Sequence, residues 1–446
     1  MGFEINTMNI FNSLGSNYDI TFALKALSAQ NKNQYSFQLK KMLEEKYEGR
    51  AILLYKGREA IGLALEILNL PKESFVAING FTCFAVYKAV VNEGLDAEIL
   101  DLEYNFPNRH SGEPELVEGG SRISNGKKRF SARQNDELDL NFTANKLSKS
   151  IRQNPKIKVV IIQNTLGYPC DIEKISKICK DNNIILIEDL AHSVGAKYAN
   201  GKEAGTVGDF VILSFSQDKM IDAVSGGALI IRNKKYQNYY SSSGMSDSER
   251  SREVSNETMK QLNNLNLKQQ LLDRFYPLFT FIIRKTYGIG FGKPLHFLLK
   301  TFNLLSKPMN KSFYEKHSLP NWYAYLVLEN FKKLETNLEH RRNIAAIYNS
   351  MLNKKILSKI ISENIKLSSN LRFPIFVENR NDLIGCLKKE RAYVSDIWYD
   401  SVDETLPNAK VVSNKILNLP THENVSEEDA KNISETINRW IEIHLP

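Results

Sequence analysis

A lysine flanked by small polar residues lies between two apolar runs in the middle of the chain. The stretch SFSQDKMIDAVSGG, residues 214–227, places Lys219 after a Ser-Phe-Ser turn and ahead of a glycine pair. A solitary lysine at the mouth of a sheet is usually solvated and has no chemical role. Polar residues elsewhere in the sequence therefore decide whether Lys219 belongs to a reactive site.

A carboxylate ends another apolar run upstream of this lysine. The stretch IEDLAHSVGA places Glu188 and Asp189 at the end of a predicted strand and His192 three residues later. An unpaired charge at the end of a buried strand is costly, so Asp189 needs a cationic or hydrogen-bonding partner. That partner is either a structural arginine or the protonated ring nitrogen of a pyridine cofactor.

A glycine opens a predicted helix in the stretch YKGREAIGLAL. The free amides and the positive dipole end of that helix favour a phosphate at Gly57, Arg58 and Glu59, provided that the Glu59 side chain points away. With the Ser214 hydroxyl, the lysine and the strand-end aspartate, this set matches the needs of pyridoxal phosphate. These needs are an amine for the Schiff base, a carboxylate for the ring nitrogen and donors for the phosphate.

Short apolar runs alternate with helical patterns and supply the elements that position these residues. Several runs are too continuously apolar for a sheet with one solvated face. The alternation predicts an α/β fold with a mostly parallel central sheet sandwiched by helices, and ligands gather at the carboxyl ends of such strands. The predicted strands are 75–79, 97–102, 158–164, 184–189, 209–215 and 227–233, and the predicted helices include 57–68 and 171–182.

The chain is long enough for more than one domain, with 446 residues of which 42% are apolar. We expect an N-terminal and large cofactor-binding domain over 1–245, a helical insertion over 246–320, and a small C-terminal α/β domain within 321–446. The last part is predicted to begin with one long linking helix over 321–352. The small domain is predicted to contain the strand RFPIFVE, a helix near 381–391 and a final helix that begins at Ser426.

Two segments do not fit the alternation. Residues 105–136 are polar and rich in Gly, Ser and Arg without hydrophobic period, so we expect a surface insertion that tolerates deletion. Residues 274–314 contain no Asp or Glu, seven Lys or Arg and ten Phe or Tyr. This composition is typical of a segment that lies in a membrane interface, and equally of a helical arm buried between subunits.

Composition excludes several classes of function. The net charge of +8 comes without dense basic tracts interleaved with aromatic residues, so no nucleic-acid partner is expected. The four cysteines show neither CxxC pairs nor histidines at metal-ligand spacing, so no metal site is expected. The N-terminus lacks the pattern of a signal peptide, and no apolar run is long enough for a spanning helix. We therefore expect a cytoplasmic protein. Peripheral contact with the membrane is expected only if residues 274–314 lie in the membrane interface.

The chain resembles the DegT/DnrJ/StrS sugar aminotransferases, which are fold-type I pyridoxal-phosphate enzymes. The resemblance extends from FQLKKMLEEKY to LPTHENVSEED and is most specific in IEDLAHSVGAKYANGKEAGTVGDFVILSFSQDK, KGREAIGLAL and NTLGYPCDI. It implies a Schiff-base role for Lys219, a ring-nitrogen contact for Asp189 and a contact of His192 with the ring or its 3′ oxygen. It also implies that Ser214 and the amides of Arg58 and Glu59 hold the phosphate.

The resemblance also implies contacts to the face of the cofactor ring. It places Asn164 of the NTLGYP turn near the ring. The stretch GFTCFAVYKAV offers Phe81 and Phe84 for stacking, and we favour Phe81, although a lone aromatic is more often a core residue.

Three positions depart from the family pattern. Gly57-Arg58-Glu59 stands where the family commonly has Gly-Thr-x, so a phosphate-binding hydroxyl is absent there and Arg58 takes its place. Ser225 replaces the usual glutamate before the glycine pair. HSLPNW replaces the usual Asn-x-Arg-Met turn, which in the family often reaches into the active site of the partner subunit.

The resemblance implies an aminotransferase that moves an amino group from an amino acid, with glutamate favoured, to a nucleotide-linked keto-sugar in surface glycan biosynthesis. Lys219 favours transamination, since family members that dehydrate sugars have histidine at this position. A homodimer is implied as well. Two alternatives stay open: a pyridoxal-phosphate enzyme of another reaction type or non-sugar substrate, and a non-catalytic membrane-associated scaffold that retains the fold.

Overall fold

Seven strands form the central sheet, and six of them are the apolar runs that the sequence predicts. The computed structural model describes residues 9–12, 18–103, 138–239, 262–307, 315–394 and 400–444. The strands are β1 (Ile10–Phe11), β2 (Arg50–Leu54), β3 (Phe75–Asn79), β4 (Phe81–Thr82), β5 (Asp96–Leu100), β6 (Ile157–Ile162), β7 (Ile185–Asp189), β8 (Phe210–Ser214), β9 (Gly227–Ile231), β10 (Phe373–Phe376), β11 (Ala392–Tyr393), β12 (Asp400–Ser401) and β13 (Ile416–Leu419).

The central sheet is mostly parallel, as predicted. Its order is β2-β9-β8-β7-β6-β3-β5, and only β9 runs antiparallel to its neighbours β8 and β2. Every residue of β8 and β9 is buried, because helices cover both faces of the sheet. The carboxyl ends of β6, β7 and β8 consequently meet at one edge, which is where parallel sheets bind ligands.

Helices flank the sheet and build the rest of the chain. The predicted helix at 57–68 has the bounds that the sequence indicates, and the one at 171–182 is one residue shorter at each end. The helices are α1 (Ile20–Ser28), α2 (Asn33–Tyr47), α3 (Gly57–Leu68), α4 (Phe84–Asn92), α5 (Ala144–Gln153), α6 (Ile172–Asp181), α7 (Leu267–Thr286), α8 (Gly292–Thr301), α9 (Asn321–Phe331), α10 (Leu334–Met351), α11 (Lys359–Glu363), α12 (Arg380–Lys389), α13 (Pro407–Lys415) and α14 (Glu427–His444).

The single linking helix predicted over 321–352 is wrong, because the structure contains two helices, α9 and α10. The break lies at Lys332 and Lys333, where the Lys333 amide donates to the carbonyl of Asn330 (3.0 Å) in a tighter turn than that of an α-helix. Beyond the break, α10 packs its first turns on the core of the sheet through Leu338 and its later turns on the C-terminal core through Tyr348. The break thus redirects the chain from one core to the other.

The C-terminal part contains the predicted strand and helices. β10 pairs antiparallel with β13, α12 follows β10, and the Ser426 side chain and the Asp429 carboxylate exchange hydrogen bonds with each other's backbone amides at the start of α14. One connection was not expected, since β1 near the N-terminus pairs with β11 of this C-terminal part. We keep the three-part domain division as a proposal, with the N-terminal strand added to the C-terminal domain.

The two irregular segments differ in how far the structure covers them. The polar insertion at 105–136 lies outside the described residues, and its tolerance to deletion stays a prediction. Much of 274–314 is described and forms α7 and α8, a pair called the helical hairpin below (residues 267–307). α7 packs along α1 of the same chain. None of the described helices is both long enough and apolar enough to cross a membrane.

A buried carboxylate fixes the helical hairpin to the body of the chain. Asp273 on α7 is fully buried and accepts hydrogen bonds from the hydroxyls of Tyr55 (2.8 Å) and Tyr323 (2.6 Å) and from the Gln269 amide (2.8 Å). Next to it, the Arg274 guanidinium lies 4.4 Å from the ring centre of Trp322. Since a buried charge is stable only when its hydrogen bonds are satisfied, α7 has one favourable position.

Replacing this carboxylate should destabilise the fold. Asp273→Ala leaves the buried hydroxyls of Tyr55 and Tyr323 without their acceptor, at a cost of about 1–3 kcal/mol for each. Urea denaturation of the variant should show this loss in the free energy of unfolding. The matched control is Lys268→Ala, an exposed change on the same helix that should stay within about 0.5 kcal/mol of the parent. Equal midpoints for both variants would contradict the anchoring role.

Candidate active site

A cavity of about 690 Å³ opens at the carboxyl edge of the sheet. Its floor includes Gln163 after β6, Asp189 at the end of β7 and Ser214 at the end of β8. The start of α3 and the loop that carries Lys219 contribute further walls. The residues that the sequence selected as chemical candidates in three distant segments thus converge on one cavity.

The start of α3 forms a cradle next to the end of β8. A Cβ atom on Gly57 would lie 2.9 Å from Cβ of Ser214, so only glycine permits this approach of the helix to the strand. Gly57, Arg58 and Ser214 line the cavity together with Ser216. Amides at a helix N-terminus, a guanidinium and two hydroxyls are the donors that a phosphate group requires.

The Glu59 side chain points away from this cradle, as the sequence argument requires. Its carboxylate accepts a hydrogen bond from the backbone N–H of His317 (2.9 Å) and lies 3.4 Å from the Nδ1 atom of that histidine. The contact with Glu59 raises the pKa of His317. His317 belongs to the HSLPNW segment. This segment therefore holds the carboxylate of Glu59 away from the phosphate cradle. None of its residues lines the cavity.

A second buried lysine lies beside the cradle. The Lys56 amine donates a hydrogen bond to Oγ of Ser225 (2.8 Å) and lies 4.4 Å from the ring centre of Tyr55. Burial lowers the pKa of Lys56 to about 8. The sequence argument missed this residue, although its position just before the helix-opening glycine was a usable signal. Ser225, which departs from the family pattern, is its hydrogen-bond partner.

Asp189 is buried on the cavity floor with its carboxylate only partly hydrogen-bonded. One oxygen accepts from the Ala191 amide (2.9 Å), and the other lies 3.5 Å from the Gln163 side-chain nitrogen. Burial raises the pKa of Asp189 to about 6. A cationic partner in the cavity would restore the charged form, since an opposite charge stabilises a buried carboxylate.

Lys219 and His192 form a hydrogen-bonded pair, with Nζ and Nε2 separated by 3.1 Å. The Nδ1 atom of His192 accepts a hydrogen bond from the backbone N–H of Leu166 (3.0 Å). The hydrogen of the neutral ring therefore lies on Nε2 and points at the lysine amine. Burial lowers the pKa of His192 well below its usual value, and the charge of Lys219 lowers it further. Burial also lowers the pKa of Lys219, whereas Asp189 and Asp218 act in the opposite direction. Because the Nε2 hydrogen points at the lysine, the Lys219 amine is the acceptor of this hydrogen bond, which favours its neutral, nucleophilic form.

The NTLGYP turn serves His192, and Asn164 does not reach the cavity. The Asn164 side chain is fully buried, donates to the Tyr198 hydroxyl (3.0 Å) and accepts from the Cys170 amide (3.0 Å). The prediction that Asn164 lies near the cofactor ring is therefore wrong, because Gln163 lines the cavity and Asn164 does not. Both residues lie in the turn after β6, where Asn164 has a left-handed backbone conformation (φ 51°) and its side chain takes a different direction from that of Gln163.

The aromatic residues predicted to stack on a cofactor ring also lie elsewhere. Phe81 is fully buried in the C-terminal core, and its strand β4 pairs with β12. Phe84 is 47% exposed, and its ring lies 5.5 Å from the ring of Tyr87 in a tilted arrangement. The stretch instead contributes Cys83 and Val86 to the cavity. The bland interpretation of Phe81 as a core residue, which the sequence argument also gave, describes the structure.

The helical hairpin forms the outer wall of the cavity. The lining includes Tyr276 of α7, Tyr287 directly after α7, His296 and Lys300 of α8, and residues of the segment 303–307. The sequence predicted a membrane segment or an interface arm here and gave no signal for a contact with the active site. The sequence argument missed this contact because a basic and aromatic composition suits a membrane segment, an interface arm and an active-site wall alike.

The residues of the cavity fit pyridoxal phosphate. The glycine cradle suits its phosphate, the carboxylate of Asp189 suits a protonated pyridine nitrogen, and Lys219 supplies an amine. When bound, this cofactor supplies an electron sink for bond cleavage at the carbon that carries the amino group. Among the described residues no cluster could hold a metal ion.

The sequence model of the DegT/DnrJ/EryC1/StrS aminotransferase family matches residues 134–269 and 307–438, which is more than half of the chain. The chain belongs to this family. Its enzymes depend on pyridoxal phosphate, which is the cofactor that the cavity fits. Lys219, Asp189 and His192 lie inside the match. The helix-opening Gly57 lies before it, and residues 270–306 of the hairpin fall in the gap between its two parts.

Curated relatives match shorter stretches. The chain is 38% identical over 79 residues to GDP-perosamine synthase of Escherichia coli O157:H7 and 32% identical over 98 residues to UDP-4-amino-4,6-dideoxy-N-acetyl-beta-L-altrosamine transaminase of Campylobacter jejuni. It is 36% identical over 95 residues to GDP-4-keto-6-deoxy-D-mannose 3-dehydratase of Yersinia pseudotuberculosis. These matches cover 18%, 22% and 21% of this chain and only 21%, 26% and 23% of the relatives, in the same order.

Solved structures match nearly the whole chain. An aminotransferase from Psychrobacter cryohalolentis superposes with a TM-score of 0.66 at 16% identity, covering 96% of this chain and 98% of the other. The pyridoxal-phosphate form of Spr1654, a sugar aminotransferase of Streptococcus pneumoniae that is described as putative, gives a TM-score of 0.63 at 17% identity and covers 98% and 100%. At these identities the similarity establishes the fold, and it confirms the predicted fold class.

The two lysines of the cavity make the covalent role of Lys219 testable. We expect borohydride to fix the cofactor on the peptide that contains Lys219, because its amine lines the cavity and is oriented there by the hydrogen bond with His192. Lys219→Ala should lose both the visible absorption band and the label. Lys56→Ala, the matched control with another buried cavity amine, should keep the label on Lys219. Peptide mapping that finds the label on Lys56 in the parent protein would overturn the assignment.

Proposed function

We propose that this chain is a pyridoxal-phosphate-dependent aminotransferase that moves an amino group from an amino acid, glutamate in the first instance, to a nucleotide-linked keto-sugar for surface glycan biosynthesis. The observation that carries the proposal is the Lys219 amine, hydrogen-bonded to His192 in the cavity that Asp189 also lines. Family membership and the names of the nucleotide-sugar relatives support the substrate class.

Each cavity residue has a defined task in this proposal. Lys219 holds the cofactor between turnovers and afterwards carries the proton that the substrate carbon loses, because its amine remains beside the reacting atoms. His192 keeps that amine neutral and oriented through its Nε2 hydrogen. Asp189 keeps the charge on the ring nitrogen, and the cradle around Gly57 and Ser214 fixes the phosphate. The site residues thereby divide into one proton carrier and several positioning groups.

The alternative chemistry within the family is removal of a sugar hydroxyl, as in the name of the Yersinia pseudotuberculosis relative. Lys219 favours amination, since the reaction with an amino-acid donor needs an amine that forms and releases the covalent attachment in every turnover. Lys219, whose pKa is lowered by burial, is suited to that task. We therefore propose amination over dehydration.

The reaction can be measured in two separate halves. Glutamate added to the loaded enzyme should bleach the visible band, and GDP-4-keto-6-deoxy-D-mannose, tested with other nucleotide-linked keto-sugars, should restore it. Mass spectrometry should find an aminated sugar. A deoxygenated sugar without new nitrogen would instead identify a dehydratase.

The carboxylate of Asp189 should decide the rate of both halves. Asp189→Asn keeps the shape of the side chain but removes its charge, and loss of one preorganised electrostatic group costs about 10²-fold or more in turnover. The matched control is Asp181→Asn, an exposed change at the end of α6 that should leave turnover unchanged. Parent-like turnover of the Asp189 variant would remove that residue from the proposed mechanism.

We also propose that the outer face of the helical hairpin contacts an anionic membrane surface. Nine of the fifteen large hydrophobic side chains that are exposed among the described residues lie on the hairpin, and Lys285 and Lys293 are exposed basic side chains of the hairpin outside the cavity lining. In a two-fold dimer through this face, the same basic surface would oppose itself. An anionic bilayer complements both properties, since its headgroups attract the basic residues and its acyl boundary accepts the rings. The homodimer is proposed through other surfaces, on the family resemblance alone.

Vesicle binding tests this contact. Phe297 and Phe302 of the hairpin are 73% and 65% exposed. The double variant Phe297→Ser/Phe302→Ser should therefore lose co-sedimentation with vesicles that contain anionic lipid. Binding of the parent should weaken when salt rises from about 0.05 to 0.5 M, because screening shortens the reach of surface charges. The control is Ile443→Ser, a 75% exposed apolar residue of α14. Absence of parent binding, or equal binding to neutral vesicles, would contradict the proposal.

A further inference from the structure

The outer wall of the active-site cavity comes from a segment that the family match does not include. Residues 270–306 fall between the two matched ranges, yet Tyr276, Tyr287, His296 and Lys300 of this segment line the cavity. The segment belongs to the same chain as Lys219. One chain therefore supplies both the reactive amine and the outer wall. The wall residues of 270–306 lie outside the residues that the family model matches.

The outer wall is positively charged and the acidic groups lie elsewhere. The acidic residues that line the cavity are Asp189 and Asp218, and both are buried. Lys300 and Lys307 are exposed on the outer wall, where Lys307 donates to the side-chain oxygen of Asn303 (2.7 Å). Within the described ranges, no carboxylate lies at ion-pair distance from either of these two lysines. Their charge is thus available to an anion that enters the cavity.

Helical spacing brings a third donor to the same place. His296 and Lys300 are four residues apart on α8, so they share one face of the helix, and both line the cavity. Burial and the charge of Lys300 lower the pKa of His296, so its imidazole offers a neutral N–H donor beside that lysine. Three nitrogen donors at the opening match the several oxygens of a phosphate ester chain.

Aromatic contacts hold the wall in its position. Tyr287 at the end of α7 packs edge-on against Phe11 of β1 (5.1 Å between ring centres) and against Tyr393 of β11 (5.0 Å). All three rings line the cavity. With the Asp273 anchor at the other end of α7, the hairpin is fixed at two points. A fixed wall places its charges at a constant distance from Lys219, which a mobile loop does not.

We infer that His296, Lys300 and Lys307 bind the diphosphate group that is attached to the acceptor sugar. The inference rests on the proposed function and gives it a residue-level specificity determinant. The lysines are exposed at the opening, whereas the reaction takes place at Lys219 on the cavity floor. The cavity of about 690 Å³ that both lysines and Lys219 line has room for a ligand larger than an amino-acid donor. A sugar that carries a diphosphate has that larger size and the negative charge, whether its other end is a nucleoside or a lipid.

The test measures diphosphate binding and the two half-reactions separately in the cofactor-loaded protein. Calorimetric titrations use pyrophosphate, GDP and a short-chain prenyl diphosphate as probes, with the parent protein and Lys300→Ala/Lys307→Ala. The control is Lys268→Ala/Lys293→Ala, which removes the same charge from exposed hairpin positions that do not line the cavity. Loading with cofactor occupies the cradle at Gly57, so the probes report on the outer wall.

The inference predicts a selective defect. The Lys300→Ala/Lys307→Ala variant should bind the better diphosphate about tenfold or more weakly and show a similar rise in KM for the keto-sugar, since each charged hydrogen bond contributes enough for such a change. Bleaching by glutamate should be unchanged. GDP as the tighter probe would assign a nucleotide source, and the prenyl compound a lipid source.

Two outcomes would overturn the inference. Equal diphosphate affinity in the parent, the variant and the control would show that these lysines do not bind it. A rise in KM for glutamate with no change for the acceptor would assign the wall to the amino donor. Failure of the parent protein to bleach with glutamate would instead count against the proposed function, and the diphosphate titrations would still decide the inference.

Discussion

The close approach of α3 to the ends of β8 and β9 is the constraint on which the active site depends. Gly57 leaves no room for a Cβ atom against Ser214, and Gly227 in turn has the backbone of Lys56 and Gly57 within 3 Å of the place where its own Cβ would lie. These two glycines therefore allow the N-terminus of α3 to lie directly over the carboxyl edge of the sheet. The phosphate cradle, the buried amine of Lys56 and the position of the cavity all follow from this contact.

Burial gives the groups around this cradle their chemical states. Burial raises the pKa of Asp189 to about 6 and lowers the pKa of Lys219. The His192 tautomer, set by the amide of Leu166, directs the Nε2 hydrogen at the Lys219 amine and so favours the neutral form that a nucleophile needs. Asp189 acquires its full charge only opposite a cation. The site is thus prepared for a ligand that brings a positively charged ring nitrogen.

The helical hairpin adds a second level of organisation to a fold shared with many aminotransferases. Its inner side closes the cavity with tyrosines and cations, and its outer side carries most of the exposed large hydrophobic residues of the described chain. The buried Asp273 and the aromatic contacts of Tyr287 connect it to the sheet and to the C-terminal part, respectively. One insertion thereby links the interior of the active site to an external surface, which makes substrate access and surface binding properties of the same element.

The sequence by itself determined six of the seven strands of the central sheet and the candidate residues at the ends of β7 and β8 and at the start of α3, because apolar continuity and glycine placement are local properties. It also determined the family, through motifs in those same positions. Only the tertiary structure decided which neighbours face the cavity: Gln163 in place of Asn164, and Lys56 beside Gly57. Gln163 and Asn164 lie in the turn after β6, where the backbone conformation of each residue sets the direction of its side chain, and a helix buries one face according to what packs on it. For the same reason the sequence showed the composition of the helical hairpin, and only the packing of the hairpin showed that its inner side is a wall of the active site.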